Sequence, residues 1–328
     1  MKNQNSHPLS SLLDSELLPY KQERSGFDLW ADIPAGREMA NAAAAELLTL
    51  STPAVSVPYE DVAISEDDST NLMVRIYRPE GLSSLSPVLL WMHGGGYVMG
   101  SVDMDANYLQ TLAFETSCVI VSVDYRLAPE APFPAAIEDC YTALKWVRSN
   151  GARLDLDVNR IAIGGLSGGA GLAAGLALYA RDKGDSPIMF QLLMCPMIDD
   201  RNITHSSHLD LTGLAWDRRN NVNAWGAYIE GEIPDGPMTR EDVSPYAAPS
   251  RCEDLSGLPP AFISVGSVDL FMDENIDYAR RLIQSGVGAD LHVYAGGFHA
   301  FECIATESSL AKRANEQIYT ALRKAFSK

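Results

Sequence analysis

IAIGGLSGGAGLAAGLALYA, residues Ile161–Ala180, is the stretch whose reading decides the architecture. Ile161 to Ile163 read as a buried strand that runs into Gly164. Gly165-Leu166-Ser167-Gly168-Gly169 then turns around one serine, and Ala, Leu and Gly recur behind it at helical spacing. Arg181 and Lys183 follow where the C-terminal end of a helix favours cations. A Gly-x-Ser-x-Gly set between a strand and a helix is a nucleophile elbow. The turn is tight enough to need neighbours without side chains, and it strains the serine backbone so that Oγ stands clear at the sheet edge. The helix begins at the serine, so its unpaired N–H groups face any negative charge that develops there. Twenty uncharged residues are also the length of a membrane span. Six of these twenty are glycines, however, and they divide the stretch into a short strand and a short helix. No Gly-Lys-Ser/Thr follows the turn, which excludes a phosphate cradle.

The 328 residues suit one α/β domain carrying an attached cap, and a hydrophobic fraction of 46% suffices for a large core. With 43 acidic against 25 basic residues, the net charge of −18 argues against nucleic acid or an anionic membrane as partner. Five scattered cysteines (Cys118, Cys140, Cys195, Cys252, Cys303) form no C-x-x-C pair and read as buried thiols of a reducing compartment. The N-terminal MKNQNSHPLSSLLDSELLPY lacks the apolar region of a signal peptide, so a cytoplasmic location is expected.

In chain order, Leu9–Leu18 and Arg37–Leu50 are amphipathic patches, with Phe27, Leu29 and Trp30 between them. Val57–Ile64 and Leu72–Tyr77 alternate as two antiparallel strands around the turn Glu66-Asp67-Asp68. Val88–Met92 and Val119–Val123 are continuous apolar strands, and Ala135–Ser149 is the clearest helix. Strands at Ile161–Ile163, Ile188–Met194, Ala261–Val265 and Leu291–Tyr294 then alternate with helices after Ser167, over Met272–Ser285 and from about Thr306. That rhythm specifies a mostly parallel sheet with helices on both faces. It lapses between Cys195 and Pro259, where Asp199 to Arg251 is too long a connection to be structureless in a compact domain. The expected division is therefore a cap from residues 1–50 and 199–250, over a core from 51–198 and 251–328.

A serine hydroxyl is a poor nucleophile near neutral pH. It needs an imidazole in reach, the imidazole needs an acceptor to fix its tautomer, and the oxyanion needs preorganised donors. Six histidines exist. His7 lies in a polar terminus, His292 inside a strand, and His205 and His208 in a solvated cap loop rather than a metal pair. His299, in Gly-Gly-Phe-His-Ala-Phe past the last strand, is the candidate base. Among Asp269, Asp273 and Glu274, Asp269 falls in the loop after a strand, whereas the other two suit the first turn of a helix. Backbone donors are expected from Gly94 and Gly95 in His93-Gly94-Gly95-Gly96 and from Gly168. His93 is expected to orient that loop.

With these parts, the chain resembles the hormone-sensitive-lipase-like (bacterial family IV) carboxylesterases of the α/β-hydrolase superfamily. The likeness rests on His93–Gly96, on Asp124–Glu130 (DYRLAPE), on Gly165–Gly169, on Asp269 and on His299, and spans about residues 57–328. The order Ser167…Asp269…His299 is that of this superfamily. The resemblance implies an α/β-hydrolase fold with a helical cap and hydrolysis of short- to medium-chain acyl esters without metal or cofactor. Homodimers are frequent among its members. The family commonly has Asp before the serine and Ala-Gly-Gly after it, whereas here Leu166 precedes and Gly168-Gly169-Ala170 follows. The substrate is expected to pass Tyr97, Leu166, Phe27, Trp30, Trp216 and Phe298, and Arg126 is expected to pair with Glu130 under the oxyanion loop. An amidase, lactonase or acyltransferase would use the same triad. A non-catalytic receptor of the kind found among the plant relatives would lack the histidine present here as His299.

Overall fold

The computed structural model describes residues 12–21, 28–50, 55–64, 72–82, 85–185, 187–234, 236 and 239–328. Its centre is the apolar run read above as a strand: β3 (Ser86–Met92) is buried along its whole length, as a strand covered on both faces must be. β1 (Tyr59–Ala63) and β2 (Met73–Tyr77) are the expected antiparallel pair. β4 (Val119–Asp124), β5 (Leu156–Leu166), β6 (Phe190–Met194), β7 (Ala261–Val268) and β8 (Ala289–Phe298) complete one sheet of order β1-β2-β4-β3-β5-β6-β7-β8. β2 runs antiparallel to both neighbours, and every pairing from β4 to β8 is parallel.

β3 divides its side chains between two cores. Val88, Leu90 and Met92 enter the one shared with α3 (Ala135–Asn150) and α4 (Gly168–Asp182). Leu89 and Trp91 enter the other, with α2 (Ala106–Thr116) and the last turns of α8 (Ser309–Phe326). On the side of the first core, α6 (Met272–Gln284) packs on β7 and β8. β4 lies on one side of β3 and β5 on the other. In parallel sheets, such a reversal of order leaves a crevice at the carboxyl ends of the strands, where ligands bind.

Residues 199–250 hold α5 (Arg218–Glu230), whose first turn is capped by the Asp217 side chain accepting from Asn220 N. The segment is rooted by a buried pair between Asp200 and Arg251 at 2.6 Å. The N-terminal helix α1 (Ile33–Leu50) is preceded by Trp30, whose indole N–H donates to Asn220 Oδ1 at 2.9 Å, and by Asp28, paired with Arg219 at 2.7 Å. Two stretches nearly two hundred residues apart thus meet on α5. One sequence expectation shifts, one short helix is added, and two expectations fall on residues that are not described. The last helix starts at Ser309, because the Ser308 hydroxyl accepts from Ala311 N and caps it there. A short helix α7 (Phe301–Ile304) follows His299 directly. The turn Glu66–Asp68 and Phe27 lie outside the described residues. No described helix is long and apolar enough to cross a membrane.

Candidate active site

β5 delivers Ser167 into a left-handed backbone (φ 58°), strained for a residue with a side chain. Three hydrogen bonds hold it there. Ser167 N donates to Met194 O at 2.9 Å, while its carbonyl accepts from Gly171 N and Met197 N at 3.0 and 3.1 Å. Glycine is obligatory behind it: a Cβ on Gly169 would stand 2.1 Å from Met92 O, so any larger residue would push α4 off the end of β3.

β7 and β8 bring the other two groups alongside. Ser167 Oγ lies 2.8 Å from His299 Nε2, and His299 Nδ1 lies 2.8 Å from Asp269 Oδ2. Asp269 is fully buried, and its second oxygen accepts from Phe271 N at 3.0 Å. An ionised carboxylate only accepts, so Nδ1 carries the proton and Nε2 is left as acceptor for the serine hydroxyl. The Phe271 ring meets the imidazole edge-on at 5.1 Å and fixes its plane. All three residues expected from the sequence therefore form one hydrogen-bonded line. Cys195, buried at the end of β6, brings its sulfur within 4.8 Å of ligand-type atoms of Asp269 and His299, but those two already bond to one another.

The glycine loop lies against the start of α4 and beside a buried acid. The Gly94 amide faces the buried carboxyl of Asp105, which burial pushes up to about 6 against the opposing pull of that amide and of the Trp91 indole N–H. A Cβ on Gly168 would stand 3.1 Å from Gly96 N and 3.0 Å from Tyr97 N, so the start of α4 abuts Gly96 rather than Gly94. Three consecutive glycines do not announce which amide turns inward. His93 does orient the loop. Its Nδ1 donates to Gly94 O at 2.7 Å, its ring stacks on Tyr125 at 4.2 Å, and Tyr125 donates back to His93 O at 2.8 Å. Burial pushes this imidazole down to about 4, so it is neutral at physiological pH.

Of the expected pocket residues, Trp216 and Leu166 reach the loop. A Cβ on Gly96 would stand 2.5 Å from the Trp216 ring, and one on Gly94 3.5 Å from a Leu166 methyl. Tyr97 is instead a bolt: its hydroxyl donates to Met197 O at 2.7 Å and its ring stacks on Tyr228 of α5 at 4.0 Å. Phe298 is buried in the sheet core, and Trp30 ties the N-terminal segment to α5. The expected Arg126–Glu130 pair is not formed. Arg126 binds Asp139 of α3 at 2.8 Å, and Glu130 binds Arg37 of α1 at 2.7 Å, because each guanidinium is presented by a different element. Glu274, expected to be a first-turn dipole partner, is buried and accepts from Ile198 N and Asp199 N. Burial, with Asp199 beside it, holds its carboxyl well above the usual range.

The family model for the alpha/beta hydrolase fold matches residues 89–303. The chain belongs to the α/β-hydrolase family. Within it, the hormone-sensitive-lipase-like branch of carboxylic ester hydrolases is its place. This α/β-hydrolase is 36% identical over 290 residues to carboxylesterase NlhH of Mycobacterium tuberculosis, covering 87% of this chain and 89% of that one. An arylesterase of Saccharolobus solfataricus is 30% identical over 260 residues, covering 76% and 80%. Among solved structures, a bacterial heroin esterase superposes with a TM-score of 0.86 at 39% identity, covering 96% of this chain and 98% of that one.

Proposed function

We propose that the chain is a serine carboxylesterase acting on short- to medium-chain acyl esters. The observation that carries this reading is the pair of 2.8 Å contacts joining Ser167 Oγ, His299 and Asp269. Ser167 attacks the ester carbonyl while His299 Nε2 takes its proton, and Asp269 holds the imidazole in the productive tautomer. Gly95, Gly96 and Gly168 are the amides assigned to the oxyanion, at the N-terminus of α4 where the helix dipole adds to them. Collapse expels the alcohol, protonated by His299. Water, activated by the same base, then frees the acid from Ser167. The apolar side chains of Leu166 and Trp216 beside the glycine loop support an apolar acyl group as substrate.

Residues 1–50 and 199–250 are assigned together as the cap over this site, supported by the Trp30–Asn220 and Asp28–Arg219 contacts. A reducing, cytoplasmic setting is supported by five unpaired thiols, and a homodimer by the β8 sheet edge, where Val293 is exposed. Cell fractionation and sedimentation velocity test these two. The substrate reading is tested with p-nitrophenyl esters from acetate to palmitate, before and after an irreversible serine-directed phosphonate. The expected profile peaks at short to medium chains and vanishes after the phosphonate. A palmitate optimum, or turnover that survives the reagent, would overturn it. Anilides and lactones run in parallel separate the amidase and lactonase alternatives.

A further inference from the structure

Arg37 lies on α1, far in sequence from the glycine loop, yet its side chain ends on that loop's backbone. Gly95, Gly96 and Tyr97 have φ values of 115°, 59° and 67°, three successive residues on the left-handed side of the map. Tyr97 carries a side chain there, so the conformation persists only where its surroundings over-determine it. Part of the restraint is internal: Gly95 O accepts from Val98 N and Met99 N, each at 3.1 Å. Part comes from the segment after β4, where Ala128 N donates to Tyr97 O at 3.0 Å. The Val98 and Ala128 carbonyls that remain both accept from the Arg37 guanidinium. The same group forks onto Glu130, with bonds of 2.9 and 2.7 Å to its two oxygens.

We propose that Arg37 is a positioning residue for the oxyanion amides, so that seating the N-terminal helix sets the geometry of the glycine loop. The inference rests on the reading of Gly95 and Gly96 as oxyanion donors. Glu130 is half-exposed, and an ion pair with such a carboxylate adds little stability of its own. What distinguishes this pair is its aim, since one planar fork joins the loop, the segment after β4 and α1 in a geometry an ammonium cannot reproduce. The carboxylate holds the guanidinium at the angle from which its other N–H groups meet the two carbonyls.

The test uses the full chain with Arg37→Ala, Arg37→Lys and Glu130→Gln, reading kcat and KM on p-nitrophenyl butyrate. It also reads the affinity of a trifluoromethyl ketone, whose hemiketal oxyanion occupies the hole. In Arg37→Ala, kcat is expected to fall about 10- to 100-fold with KM little changed, the size of a misplaced reacting group. Ketone affinity should fall by the same factor, because only transition-state binding is lost. Added guanidinium ion should restore part of kcat in Arg37→Ala and none in the parent. Arg37→Lys should lose nearly as much, and Glu130→Gln less, since the two carbonyl bonds remain. Unchanged kcat in Arg37→Ala, or a loss confined to KM with ketone affinity intact, would overturn the proposal and reduce α1 to a cover. Should Arg37→Ala fail to fold, Arg37→Lys with normal kcat and ketone affinity overturns it equally. An inactive parent would sink the esterase reading instead, so the two failures are distinguishable.

Discussion

The two halves of the proposed site are held by different means. The acid–base half hangs from strand ends. β5, β7 and β8 each finish in the residue or loop that carries Ser167, Asp269 or His299, and direct side-chain bonds complete the line. The oxyanion half is a loop of left-handed residues, braced from outside by Tyr125, Ala128 and a guanidinium from the N-terminal helix. A half built on strands inherits the rigidity of the sheet. A half built on a braced loop depends on contacts gathered from across the chain, so its failures should be graded where those of the first are abrupt.

The largest effect expected in that comparison, short of removing the nucleophile, is at Asp269. Asp269→Asn keeps the shape of the line but lets the amide donate toward Nδ1, moving the imidazole proton to Nε2 and facing Ser167 with the wrong tautomer. A fall in kcat of about 10⁴-fold is expected on p-nitrophenyl butyrate. A loss below tenfold would mean that the orientation of His299 is fixed elsewhere. The Arg37 variants should fall well short of this, and a loss at Arg37 equal to that at Asp269 would erase the distinction between the two halves.

A smaller, pH-dependent effect separates the halves again, through one buried titratable group behind each. Glu302, on α7 just past His299, accepts from Ser264 Oγ at 3.1 Å, and its other oxygen has no partner among the described residues. Burial pushes this carboxyl up to about 7. Being an acid with its folded value above the ordinary one of 4.5, it binds more protons folded than unfolded between the two. Its contribution is therefore lost as pH rises from about 4.5 to about 7, on the order of 3 kcal/mol. His93, behind the glycine loop, is a base pushed down to about 4 and works in the opposite sense, losing stability as pH falls through the range between 6.5 and 4. The melting temperature of Glu302→Gln, taken relative to the parent, should climb from pH 5 to pH 8. A flat difference would mean that Glu302 does not hold its proton near neutrality.

The same contrast explains what was legible in the sequence. β3, β4 and the inner parts of β5, β6 and β7 could be read because apolar runs need no partner to identify them. β8 instead alternates exposed and buried residues, and β5 begins five residues before its apolar part. Ser167 and Asp269 could be read because each follows such a run, and His299 because it follows the last strand. The braces could not be read. Arg126 has Glu130 four residues away in sequence but finds Asp139, which α3 presents, and Arg37 takes Glu130 instead. Gly94 and Gly96 are chemically identical, and only the folded chain brings the start of α4 beside Gly96. Glu274 carried the signal of a helix first turn and turned out to bind the backbone of Ile198 and Asp199. In each case the partner is chosen by tertiary packing, to which local pattern is blind. Tyr97 and Phe298 fail as pocket walls for a related reason: a large aromatic beside a site is equally welcome in the core behind it.

The central claim is that the hydroxyl of Ser167 forms the covalent intermediate, and Ser167→Ala tests it most directly. The measurement is kcat on p-nitrophenyl butyrate, alongside peptide mass spectrometry of the parent after an alkylphosphonate. The expected result is a loss of about 10⁶-fold with the thermal transition retained, and one phosphonate adduct in the parent, on the peptide that contains residue 167. Activity within tenfold of the parent, or an adduct on a different peptide that tracks the inactivation, would contradict it.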